Sequence, residues 1–114
     1  MNNADLLKLW DNEYSKISYH RRMGFKLEKE GKLKDALNEY ELSIRIGHYS
    51  RFDMLHAYRF SYDRAIDICH QLGQYNKEKQ ILASLSKMLI LKPEAKYYIN
   101  RLNSLNHEQK KSIY

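Results

Sequence analysis

A chain of 114 residues has the length of one domain, and its four glycines and single proline are too little punctuation for an all-β fold. An apolar fraction of 43%, with ten Tyr, three Phe and one Trp, supports a packed core, and charges of both signs at 30% exclude the composition of a disordered chain. The formal charge of +6 is spread along the sequence with a mild rise toward the C-terminus, whereas a dedicated nucleic-acid arm would concentrate it.

Cys69 is the one cysteine, so a disulfide-stapled scaffold is excluded. The opening MNNADLLKLWDNEYSK has no basic stretch followed by an apolar run, so it does not read as a signal peptide. Apolar runs are far shorter than the roughly 20 residues of a membrane span. The default expectation is a cytoplasmic protein with no membrane partner.

In chain order, Leu6, Trp10, Tyr14 and Ile17 recur at helical spacing, with Asn2 or Asn3 able to cap the helix start. The pattern continues through Met23, Gly24 and Leu27 to Gly31, and residues 4–30 read either as one helix or as two broken near Asp11-Asn12. A second helix is expected over about 33–46, with Leu33, Ala36, Leu37, Tyr40 and Ile44 on one stripe and Gly47 as a positive-φ C-cap. Ser50 and Asp53 resemble a capping box opening a third helix, about 51–72, with Leu55, Tyr58, Tyr62, Ala65, Ile66, Cys69 and Leu72 inward, and Gly73 ending it. A fourth helix, 77–91, has Asn76 as its cap and Ile81, Leu82, Leu85, Met88 and Leu89 inward. Pro93 precedes a last helix over about 94–105 with Tyr97, Tyr98, Ile99 and Leu102. The domain is expected to span 1–106, and 107–114 to be a flexible polar tail.

The arrangement of helix end, glycine and new helix occurs twice, as KEGKLKDALNEY and QLGQYNKEKQIL. In the first half, His20, Met23, Gly24 and Leu27, followed by Ala36 and Tyr40, resemble the W-x2-L-G-x2-Y and A-x3-F pattern of a tetratricopeptide repeat. Gly24 and Ala36 are small enough to let two antiparallel helices approach, and Leu27 and Tyr40 fill the space beside them. In the second half the corresponding positions hold Tyr62, Ala65, Ile66, Cys69, Glu78 and Leu82, 42 residues further on rather than about 34. The match covers roughly 17–93 and is more degenerate in its second unit. It is similar to the two-repeat helical modules of uncharacterised bacterial proteins.

The expected fold is therefore all-α: antiparallel helical hairpins, two tetratricopeptide-like repeats flanked by an N-terminal helix and a C-terminal capping helix. The resemblance implies non-catalytic protein–protein interaction, as an adaptor or regulator, and supplies no catalytic residue. It also implies a concave surface carried by the first helix of each pair, with Arg21, Phe25, Glu28, Phe60, Asp63, Asp67 and His70 facing a protein or peptide partner. Phe25 and Phe60 are the candidate anchors, or else core residues of a small domain. Homodimerisation through Leu6, Trp10 and Tyr14 of the N-terminal helix is a second expected association.

Chemistry is not expected. The five histidines form no HExxH pattern, Cys69-His70 lacks a second metal-ligand pair, and no phosphate loop or nucleophile elbow occurs. No enzyme activity, cofactor or metal is anticipated. The interleaved basic and aromatic residues of YHRRMGFK and HYSRFDMLHAYRF leave nucleic-acid binding as an alternative function, with Arg21, Arg22 and Lys26 sharing a helical face. A mobile-element anti-defence or toxin-neutralising protein with one dedicated partner is the other alternative.

Overall fold

Helices make up all the regular structure among the described residues, which are 2–113 for the backbone and 2–107 for the side chains of the computed structural model. They are α1 (Asn3–Lys29), α2 (Leu33–Tyr49), α3 (Leu55–Gln71), α4 (Tyr75–Met88) and α5 (Ala95–Ile113). The expected all-α class holds. The chain divides into two compact units, Met1–Ile68 and Cys69–Tyr114, and the divide falls in the last turn of α3.

The first stretch is a single helix: α1 runs unbroken through Asp11-Asn12, whose exposed side chains cost only a few tenths of a kcal/mol of propensity each. Its cap is Asn2, whose side-chain oxygen accepts the Asp5 N–H at 2.8 Å. At a rise of about 1.5 Å per residue α1 is about 40 Å long, and its first turns, through Lys8, are exposed. Leu6, expected on the inward stripe, is 41% exposed; Ile17 is the first fully buried residue of α1.

Gly31 closes α1 as expected. Its φ is +78°, the Gly31 N–H reaches the Glu28 carbonyl at 3.0 Å, and the Lys32 N–H reaches the Leu27 carbonyl at 3.0 Å. This Schellman pair of bonds satisfies carbonyls that the ending helix leaves unpaired. Across the turn the Tyr40 ring fills the place a side chain at Gly24 would need: a Cβ there would lie 2.8 Å from Tyr40 Cδ1.

Gly47 corrects its expected role. It lies inside α2, which runs on to Tyr49, and its φ is not positive. What requires glycine here is the ring of Tyr58, which a Cβ would meet at 2.2 Å. The third helix begins at Leu55, four residues later than expected. Ser50 instead ties the connector down, accepting the Phe52 N–H at 3.1 Å and donating to the Glu13 carboxylate, while Asp53 accepts the Leu55 N–H at 3.3 Å. The first unit's core is built from Ile17, Ala36, Leu37, Tyr40, Tyr58 and Tyr62, with Ala65 and Ile66 following on α3.

In the second unit Gly73, at φ +72°, repeats the Gly31 turn: its N–H reaches the His70 carbonyl at 3.2 Å and the Gln74 N–H reaches the Cys69 carbonyl at 2.9 Å. That turn passes directly into α4 at Tyr75, so Asn76 is a helical residue and not the expected cap. α4 ends at Met88, three residues before the expected end. Leu82, Leu85 and Leu89 are buried while Met88 is 37% exposed. On α5, Ala95, Tyr98 and Leu105 form the buried stripe, and Tyr97 points outward at 61% exposure. α5 continues to Ile113, well beyond the expected 105, because glutamine and lysine sustain a helix where no glycine or proline stops it. The stretch read as a polar tail is thus helical in its backbone; Tyr114 and the side chains of 108–113 lie outside the described residues.

Candidate docking groove

Phe25 on α1 and Phe60 on α3 meet edge to face in the first unit, with ring centroids 6.0 Å apart and planes inclined by 64°. Phe60 also meets the buried Tyr40 edge-on at 6.1 Å. Both phenylalanines nevertheless remain about two-fifths exposed, 43% and 42%. They belong half to the core and half to the surface, so neither is the fully buried core residue that was the other expectation. With Arg21 and Arg22 they line a hollow of about 400 Å³.

The helix period explains the rim. Arg22 stands three residues before Phe25 and Lys29 four after it, so the three share one face of α1. Lys29 Nζ lies 4.4 Å from the centroid of the Phe25 ring, a cation–π contact. Arg21 donates from Nη1 to the Ala57 carbonyl at 3.0 Å, which fixes its side chain against α3. One turn before the arginines, Ser18 is buried and its hydroxyl has no hydrogen-bond partner among the described residues.

Beside the hollow, Glu28 joins a polar network. It accepts from the Tyr40 hydroxyl at 2.9 Å, from Arg64 Nε at 3.1 Å and from Arg64 Nη2; Arg64 Nη1 also reaches Asp67 at 2.9 Å. Burial pushes the Glu28 carboxyl up, but the bonds from Arg64 and Tyr40 and the Arg64 charge together outweigh it and hold it below the ordinary carboxylate value. Burial first, then the Glu28 bond, raise the Tyr40 hydroxyl well above its ordinary range. Glu28 is therefore an internal counterion more than a free surface charge.

Of the seven expected partner-facing residues, Arg21, Phe25 and Phe60 come together at the hollow. Glu28 and Asp67 lie in the Arg64 network, and Asp63 on α3 is half-buried. His70 belongs to the second unit, where its Nδ1 meets the Glu78 carboxylate at 3.0 Å. Arg22, Lys29 and Arg64 were not among the seven. The first two were within reach of the sequence by their helical spacing from Phe25, whereas Arg64 is 36 residues from Glu28 and only the fold joins them.

In the second unit, Glu78 is buried to 1% exposure between His70 and Arg101, whose Nη2 lies 3.8 Å away, beside a hollow of about 200 Å³. Among the described residues no group of three His, Cys, Asp or Glu side chains could hold a metal ion, and no helix is long and apolar enough to cross a membrane. The chain matches no family model, no curated protein and no solved structure.

Proposed function

We propose that this chain is a non-catalytic interaction module of tetratricopeptide-like construction, which docks a protein or peptide in the groove between α1 and α3. One observation carries the reading: two phenylalanine rings packed on a buried tyrosine yet left two-fifths exposed, flanked by arginines, around an open hollow. Exposed aromatics held rigid by the core lose little conformational freedom on binding, and interface hot spots favour that combination of aromatic and arginine. The recurrence of the glycine turn at a 42-residue spacing supports the repeat-like construction.

Random 12-residue peptides displayed on phage, selected on the full chain and counter-tested on a Phe25→Ala/Phe60→Ala variant with an unchanged helical circular-dichroism spectrum, test this. Clones that hold the parent chain and release the variant are the expected result. Clones that hold both equally would refute the groove as the docking surface. Fluorescein-labelled oligothymidylate bound at low salt more tightly than any recovered peptide would move the assignment to the nucleic-acid alternative.

A further inference from the structure

The geometry points to an acidic peptide segment with one apolar anchor side chain as the occupant of the α1/α3 groove, an inference that rests on the docking reading above. Charge complementarity selects it. Along α1 the residues Arg21, Arg22, Lys26 and Lys29 put four cations within three turns, and none of them pairs with a carboxylate among the described residues. The acid in that stretch, Glu28, is already bonded by Arg64 and Tyr40, and Asp67 is held by the same arginine. The rim is therefore a cationic strip with no carboxylate at ion-pair distance among the described residues, open to acidic groups of a partner. Its floor is apolar, made by Phe25 and Phe60.

The ring arrangement favours a peptide over single-stranded nucleic acid. Base-binding platforms offer the flat face of an aromatic ring. Here Lys29 Nζ sits over the Phe25 ring, and Phe60 is engaged by both Phe25 and Tyr40 in steep edge-to-face contacts of 64° and 69°. A branched aliphatic or aromatic side chain can rest in the hollow against the exposed parts of the Phe25 and Phe60 rings, with its flanking carboxylates meeting Arg22, Lys26 and Lys29. Of the net charge of +6, residues 1–68 carry only +1 (12 Lys and Arg against 11 Asp and Glu), so the attraction for an acidic segment at this groove is local to the strip on α1.

The test uses four labelled 12-residue peptides read by fluorescence anisotropy against the full chain: a central Leu-Phe anchor flanked by Asp and Glu, the same anchor flanked by Lys, the same anchor flanked by Ser, and an acidic peptide with Gly in place of the anchor. The acidic anchored peptide is expected to bind at least tenfold more tightly than the other three. Its affinity should fall severalfold between 50 and 200 mM salt, and fall tenfold or more with Arg22→Glu, an exposed residue whose substitution leaves the core intact. If the anchored peptides bind alike whatever their flanks, and binding still requires Phe25 and Phe60, the acidic specificity is overturned while the groove stands. If no peptide binding depends on those two rings, both fail.

Discussion

The two glycine turns share a backbone and differ in what they enclose. Gly31 and Gly73 sit at φ +78° and +72°, and the residue after each, Lys32 and Gln74, opens the next helix at almost the same angles (φ −87°, ψ 70° and φ −86°, ψ 67°). Five residues after each glycine stands a fully buried side chain, Ala36 in one unit and Glu78 in the other. In the first unit the hairpin closes by apposition, with Tyr40 laid on Gly24; in the second a carboxyl group is taken inside and met by His70 Nδ1 at 3.0 Å and Arg101 Nη2 at 3.8 Å. The turn sets the direction of the chain through backbone bonds alone, and is indifferent to whether packing or charge holds the helix that follows.

The comparison breaks most forcefully when one solution is moved to the other site. Ala36→Glu places a carboxylate at a fully buried position, and about 3–5 kcal/mol of unfolding free energy should be lost in urea titration. A loss below about 1 kcal/mol would mean that the first hairpin can open to water at this point. Gly47→Ala forces the Tyr58 ring out of its seat and should cost about 3 kcal/mol, more than Gly24→Ala, where the Tyr40 ring is met less closely. Glu78→Gln keeps the shape but replaces an acceptor oxygen facing His70 and Arg101 with an amide donor, for an expected loss of about 1–2 kcal/mol. Gly31→Ala and Gly73→Ala meet nothing within 4 Å, so only left-handed backbone strain remains, about 1 kcal/mol in each. Costs that differ by more than about half a kcal/mol would end the equivalence of the turns.

Acid titration probes the first unit in a gentler way. Glu28 and His48 both bind a proton less readily folded than unfolded: Glu28 because the Arg64 and Tyr40 bonds outweigh its burial, and His48 because of burial. Their contribution to stability is complete above the ordinary values, near 4.5 and 6.5, and declines as pH falls below each. Chemical denaturation of Glu28→Gln between pH 6 and 3 should show a shallower loss than the parent chain.

Much of the fold was legible because helical stripes and glycine turns are local signals. The pair Gly31 and Gly73 could be read from the break in each stripe, and the all-α class from the period. Gly47 shows where local reading ends: a C-cap glycine and a glycine under an aromatic ring look alike in sequence, and what distinguishes them is Tyr58, eleven residues away. The groove was legible in its rings, since Phe25 and Phe60 stand off the apolar stripes, and Arg22 and Lys29 follow from Phe25 by helix spacing. The Glu28–Arg64 bond was not legible, because a pairing 36 residues apart leaves no periodic trace.

The seat of Tyr58 on Gly47 also bears on time. The end of a helix is ordinarily where amide hydrogens exchange with water first, because its last turn frays. At Gly47 no side chain stands between the aromatic ring and the backbone, so the ring lies against the peptide chain itself there, just before the exposed His48 and Tyr49 that end α2. Deuterium uptake at the Gly47 amide is therefore expected to wait on the opening of the core around Tyr58, and to be slower than at the exposed His48 and Tyr49 that follow it.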